Sequence, residues 1–340
     1  MKFGVFDHLD ANGRPLNELF ESRLKLIERY EAAGLYAYHL AEHHATPLGM
    51  AASPSVFLAA IAQRTKRILF GPMVYTLAIY HPLRLAEEIC MLDHLSNGRL
   101  QLGIGRGISP IELTMYGTNP ADAPARYVEA TEVILRALSA DTKVLNYDGK
   151  IFQFRDVPLQ MTTLQQPHPP LWYGISNPAA ARWAAENDVN VMSLQAPKAV
   201  RGITDQYRAE WAKLGKVPAC LPFLGVFRHT VIAPSDEEAL AIARRAYSYW
   251  HKSFWYLWNE HNKLGVKPPT ATYPESFDEL LGRGQALAGS PATVRTAIRE
   301  QADQAGLNYM ALDLAFGDIG FDDVARSVDL FAREVMPAFG

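Results

Sequence analysis

RILFGPMVYTLAIYHPLRLAEEICMLDHLSNGRLQLGIGRG, residues 67–107, holds a complete strand–helix–strand unit. Its ends, Arg67–Val74 and Arg99–Gly105, are short runs rich in Ile, Leu, Phe and Val, and the first is apolar almost throughout. Such runs suit parallel strands covered on both faces. Between them His81–Leu95 reads as an amphipathic helix. The same alternation extends in both directions. Further strands are expected at Lys2–Asp7, Tyr36–Ala41, Leu171–Ser176, Asn190–Gln195, Phe223–Ile232 and Asn308–Ala315. Helices are expected at Pro15–Ala33, Ser55–Arg64, Arg126–Leu138, Ala179–Glu186, Ala199–Leu214, Glu237–Trp258, Thr293–Ala305 and Asp322–Val335. Eight strands alternating with helices make an α/β chain, and a single (β/α)8 TIM barrel over residues 1–340 is the expected fold. An open doubly wound sheet is the rival. The strand count, and the lack of a Pro/Gly-rich linker that would divide the chain, favour the barrel.

Two stretches interrupt the repeat. Lys143–Pro170, before strand five, reads as a small hairpin followed by an extended loop. Glu260–Gly289, after helix seven, carries Pro268, Pro269 and Pro274 and reads either as a lid or as a surface excursion. The chain has 340 residues, 49% hydrophobic and 20% charged, with a formal net charge of −3. This balance argues against nucleic acid or an anionic membrane as the main partner. Two cysteines, Cys90 and Cys220, suggest neither a disulfide framework nor a Cys-rich metal site. With no signal-like N-terminus and no long apolar run, a cytoplasmic protein is expected.

In such a barrel function gathers at the carboxyl ends of the strands. This rule selects Asp7–His8, Glu42–His43–His44, Met73–Val74–Tyr75, Gly105–Arg106–Gly107, Ser176–Asn177 and Gln195. In GIGRG, glycines allow close backbone approach to a ligand, and Arg106 has the geometry to grip a phosphate through paired bonds. A tight turn with Arg106 on a surface carboxylate is the plainer alternative. Gly103-x-Gly105 only weakly matches a dinucleotide fingerprint, because the third glycine, Gly107, falls one position early. Ser176 and Asn177 precede Pro178 at a helix start, which suits either an anion site or simple capping. His43 is a candidate acid or base, or a satisfied structural histidine. His39-Leu-Ala-Glu42-His43 also fits an inverted zinc-peptidase motif. Zinc would require a helix here, whereas the segment reads as a strand. The aromatic run Tyr247 to Trp258 reads as core, part of which would roof an apolar pocket.

These pieces in this order resemble the bacterial luciferase family of flavin monooxygenases. The resemblance is carried by MKFG at the start, AEHH, Ser53-Pro54, the stretch His81–Gly107, Gly289-Ser290-Pro291 and the late DLFAREVMP, and it spans essentially the whole chain. It implies that His43 sits at the flavin reaction centre, and its neighbour Glu42 or His44 is the expected residue to orient it. It implies that Arg106 and Arg126 hold the FMN phosphate, with Gly105 and Gly107 in the same loop and Ser176 and Asn177 at the strand-five anion site. It places a non-proline cis peptide, Met73–Val74, beneath the flavin ring. The implied activity is an FMN-dependent monooxygenase that uses O2, through a flavin hydroperoxide, to oxygenate a small apolar organic substrate. Reduced FMN would come from a separate flavin reductase, since no nicotinamide-binding domain is evident. A homodimer formed through Ser55–Arg64 and His81–Leu95 is also implied. The chain departs from the family pattern at Gly105, where a reactive cysteine is usual, and at Gln195, where a tryptophan is usual. The acidic residue before Ser176 is also lost. These departures bear on an aldehyde substrate and on light emission. A deazaflavin-dependent oxidoreductase on the same barrel and a non-catalytic flavin-binding protein are the alternatives.

Overall fold

The computed structural model describes residues 1–267 and 273–340; Pro268 and Pro269 of the second insertion lie outside them. In chain order the elements are β1 (Lys2–Asp7), α1 (Leu16–Ala32), β2 (Ala37–Leu40), α2 (Pro54–Arg64), β3 (Leu69–Pro72), β4 (Tyr75–Thr76), α3 (Pro82–Ser96) and β5 (Leu102–Gly105). Then come α4 (Pro110–Met115), α5 (Ala123–Leu138), β6 (Val144–Asp148), β7 (Gln153–Pro158), β8 (Leu171–Gly174), α6 (Ala181–Glu186), β9 (Asn190–Ser193) and α7 (Pro197–Lys213). The chain ends with β10 (Leu224–Ile232), α8 (Asp236–Glu260), α9 (Phe277–Gly282), β11 (Ala286–Gly289), α10 (Pro291–Ala305), β12 (Tyr309–Asp313) and α11 (Phe321–Leu330).

The barrel strands run β3-β2-β1-β12-β10-β9-β8-β5, with the two-residue β4 added beside β5. All pair in parallel. A single parallel bridge from Phe70 to Leu100 completes the ring, held by Phe70 N–H to the Arg99 carbonyl (3.1 Å) and Gln101 N–H to the Phe70 carbonyl (2.8 Å). The eight expected strands are all present; Lys2–Asp7 has the expected bounds and the others are shorter at one or both ends. Arg67–Val74, for instance, is a strand only over Leu69–Pro72.

Inward side chains stack in layers, as barrel cores do. The lowest holds Tyr309, Trp172, His39 and Phe223, with Trp172 and Tyr309 rings 4.9 Å apart. A Cβ at Gly4 would overlap the Tyr309 hydroxyl, so this glycine makes room for that ring. Phe6 and Phe227 fill the middle, 4.5 Å apart and edge to face. His8, His229 and Asp313 form the top layer beneath Trp250 of α8. Core size follows from this arrangement: a closed parallel sheet buries both faces, and the helices cover the outside with stripes such as Leu19, Leu26, Ile27 and Tyr30 of α1.

Two expectations need correction. The second insertion is not a plain loop, because it contains α9 and the strand β11, which pairs in parallel with His229–Ile232 of β10. Ala-Leu-Ala-Gly is too short and small-sided to stand out as a strand. It forms one because β10, nine residues long, runs past the end of β9 and leaves an unpaired edge. Helix α10 begins at Pro291, capped by the Ser290 hydroxyl, rather than at Thr293. The first insertion does contain the expected hairpin, β6 with β7 antiparallel. Among the described residues no helix is long and apolar enough to cross a membrane.

Candidate active site

At the end of β2 the three ionisable residues separate. Glu42 is buried and fully engaged. Its Oε1 accepts the His44 Nε2–H (2.7 Å) and the Tyr80 hydroxyl (2.9 Å), while Oε2 accepts the Thr76 N–H (2.9 Å). Burial and the Glu42 carboxylate push the Tyr80 hydroxyl far above its usual range, so it remains a donor. His44, with Nε2–H given to Glu42, accepts the Tyr116 hydroxyl at Nδ1 (2.9 Å). Both residues therefore brace the β2 end against the segments that follow β3 and α4, and neither lines the cleft around His43.

His43 is different. Its Nδ1 lies 3.1 Å from Oε1 of Glu112, a buried carboxylate on α4. An ionised carboxylate only accepts, so Nδ1 carries the proton and Nε2 of the neutral ring is left with a lone pair. Among the described residues Nε2 has no partner. The expectation that Glu42 or His44 orients His43 is thus corrected: Glu112 does so. Sequence reasoning missed Glu112. Its one local signal is Ser109-Pro-Ile-Glu112, a capping-box spacing in which the Ser109 hydroxyl does accept the Glu112 N–H (3.3 Å). The carboxylate, instead of reaching back to the cap, turns to a histidine 69 residues earlier.

His43 opens into a cleft of about 320 Å³ including its mouth, shared with Thr46, Leu48, Ile108, Ser109, Glu112, Phe254, Leu257 and Trp258. Thr46 and Ser109 already use their hydroxyls on neighbouring main chain. The remaining walls are apolar, three of them from the aromatic stretch of α8. Below, the His8 ring stacks on His43 at 5.7 Å. His8 Nδ1 and His229 Nε2 lie 3.8 and 3.7 Å from Asp313 Oδ2, too far for hydrogen bonds. Burial pulls His229 down to about 3 and His8 well below its usual range, and pushes the Asp313 carboxyl well up. Asp7, the other residue marked at this strand end, points outward to Arg23 and Tyr38.

The expected Met73–Val74 cis peptide is present. The closeness of the neighbouring β3–β4 chain explains the glycines of GIGRG better than a ligand does. A Cβ at Gly103 would overlap the Pro72 carbonyl oxygen, one at Gly105 the Val74 side chain, and one at Gly107 the Thr76 methyl. Close approach is therefore to the β3–β4 chain. Gly107 also has φ +90°, which favours glycine.

Past the ends of β5 and β8, paired in register through Ile104 and Tyr173, lie Arg106 and Ser176–Asn177. Arg106 is exposed and, among the described residues, has neither ion-pair nor hydrogen-bond partner, so it is not spent on a surface carboxylate. Arg126 gives Nε–H to the Ala78 carbonyl (2.9 Å) and lays its guanidinium over Phe152 (5.3 Å), keeping its terminal nitrogens free. Its neighbour Tyr127 packs near Tyr173 of β8. Ser176 and Asn177 are exposed, and neither side chain caps the turn that follows. The capping alternative is therefore not what occupies them. Gln195 donates to the Ser176 carbonyl (2.9 Å). His39 and His43 do not share a helix face: His39 lies on β2, bonded to Tyr309 inside the barrel (2.8 Å).

Residues 1–309 match the family model of luciferase-like monooxygenases. The chain belongs to that family. This luciferase-like protein is accordingly a flavin-dependent monooxygenase by class. It is 39% identical to protein y4wF of Sinorhizobium fredii over all of this chain and 98% of the relative. It is 25% identical to the oxygenase component of flavin-dependent trigonelline monooxygenase from Acinetobacter baylyi, over 100% of this chain and 96% of the relative. Among solved structures, monooxygenase RslO1 of Streptomyces bottropensis superposes with a TM-score of 0.88 at 26% identity, covering 100% of both chains.

Proposed function

We propose that this luciferase-like monooxygenase binds reduced FMN, supplied by a separate flavin reductase, and uses O2 to oxygenate a small apolar organic substrate. The reading rests on His43: an imidazole anchored at Nδ1 by a buried carboxylate, with Nε2 free in a cleft of apolar walls. The residues fit a flavin phosphate as well, since Arg106, the terminal nitrogens of Arg126, and the Ser176 and Asn177 side chains are all unspent at one end of the barrel. Bound there, reduced flavin supplies the electrons for oxygen activation.

The chain's own residues do the rest. Glu112 holds the His43 tautomer and ring direction, much as a carboxylate orients a catalytic histidine elsewhere. Nε2 takes up a proton from the reacting group and returns it, and in its protonated state donates a hydrogen bond to developing negative charge. Ile108, Phe254, Leu257 and Trp258 exclude water and favour an apolar substrate. A homodimer packed through α2 and α3 is part of the same reading. It would cover Val56, Met91 and Leu95, which are 72, 53 and 49% exposed in the single chain.

The deciding experiment mixes the protein anaerobically with photoreduced FMN, admits oxygen, and follows the return of oxidised-flavin absorbance. A marked delay relative to free flavin, lost in His43→Ala, is the expected result. Reoxidation at the free-flavin rate would refute the monooxygenase mechanism, and a deazaflavin tested in parallel would then separate the hydride-transfer alternative.

A further inference from the structure

Arg228, on β10, is completely buried, yet among the described residues every group it hydrogen-bonds is neutral. Its Nε–H goes to Gln301 Oε1 (2.8 Å), Nη1 to the Phe227 carbonyl (2.7 Å) and Nη2 to the Gln195 carbonyl (3.0 Å). Among the described residues no carboxylate lies within ion-pair distance of it. The other buried arginines are compensated. Arg23 faces Asp7 and Asp10 (3.2 and 3.9 Å). Arg99 donates to the Ala62 and Thr65 carbonyls at the carboxyl end of α2, the negative pole of that helix. Burial brings Arg228 down to about 9, so it is still a cation at neutral pH.

The neighbour it holds is Gln195, two residues past the end of β9. Gln195 spends its carbonyl on Arg228 and its side-chain amide on the Ser176 carbonyl. Across a trans peptide the C=O and N–H point in opposite directions. With the Ser176 carbonyl drawn to Gln195, the Asn177 N–H faces away from it, beside the free side chains of Ser176 and Asn177. A buried cation without a counter-ion costs free energy unless negative charge is brought near. Among the described residues, the open cluster of donors linked to it by hydrogen bonds is this strand end.

We propose that Arg228 and Gln195 are positioning residues for the cofactor's phosphate: Gln195 fixes the Ser176–Asn177 peptide, and Arg228 fixes Gln195 and lends positive potential from behind. Neither touches the phosphate. The inference rests on the reading that the phosphate binds at Arg106, Arg126, Ser176 and Asn177.

The test compares oxidised FMN with riboflavin, which lacks the phosphate, by quenching of flavin fluorescence. Wild type should prefer FMN. Gln195→Ala and Arg228→Met should each weaken FMN by about tenfold or more, with riboflavin affinity unchanged, while Arg228→Lys keeps most of the preference. Should Arg228→Met fail to fold, Gln195→Ala and Arg228→Lys still decide. Equal losses for FMN and riboflavin would mean a merely structural role and overturn the proposal, as would an unchanged preference in Gln195→Ala. A wild-type protein that binds FMN no better than riboflavin would overturn the phosphate reading itself, and this inference with it.

Discussion

Gly103→Ala tests whether the glycines of GIGRG exist for the barrel seam. The added Cβ would overlap the Pro72 carbonyl oxygen and lie 3.0 Å from its carbon and 3.2 Å from Met73 Cα. All three are main-chain atoms, so no side-chain rotation relieves the overlap. Strands β3 and β5 must part where, among the described residues, only the Phe70–Leu100 bridge joins them. Overpacking of this kind costs about 1–3 kcal/mol, and the rigid partners place it at about 3 kcal/mol. At roughly 2 °C per kcal/mol for a chain this long, the melting temperature should fall by about 6 °C. Urea denaturation gives the free-energy difference and calorimetry at a fixed scan rate the temperature. Gly282→Ala is the control, since its Cβ would meet nothing within 4 Å and its φ is not left-handed. It should be neutral or stabilise by under about 1 kcal/mol. If Gly103→Ala melts within a degree or two of wild type, the seam argument is wrong and a ligand-approach role for these glycines is restored.

Glu112→Gln keeps the shape but removes the charge that orients His43, and substrate turnover should fall by about 10–100-fold with the melting temperature little changed; full activity would show that His43 does not depend on Glu112. Arg126→Met should weaken FMN by about tenfold but not riboflavin, which titration by fluorescence would read; equal binding of FMN would remove Arg126 from the phosphate site. His229, held at about 3 by burial against 6.5 when unfolded, refuses protons that the unfolded chain takes up, so its contribution is full above pH 6.5 and declines as pH falls toward 3. Asp10, raised to about 7 by burial, acts in the opposite sense, its contribution present below 3.8 and lost as pH rises through 7. Comparing His229→Phe with wild type leaves Asp10 common to both. Between pH 6.5 and 5 wild type should lose about 2 kcal/mol that the variant retains, being 1.5 pH units at about 1.36 kcal/mol each. Equal losses in urea titrations would show that His229 protonates freely in the folded state.

The sequence by itself determined the architecture. Parallel strands buried on both faces must be apolar along their length, and eight such runs separated by helical periodicity leave few alternatives to a barrel. The residues at their carboxyl ends followed from the same pattern, which is why His43, Arg106, Ser176 and Asn177 could be marked as candidates, whereas Arg126 entered only through the family resemblance. What only the tertiary structure decided is which of them have atoms to spare. The strand-end rule marks Glu42, His43 and His44 alike, yet packing closes Glu42 and His44 into one network and leaves Nε2 of His43 open. Glu112, Arg228 and the β11 strand escaped notice for the same physical reason. Each acquires its meaning from a partner far away in sequence, 69 residues for Glu112 and His43 and 33 for Arg228 and Gln195, and local periodicity carries no record of such pairings.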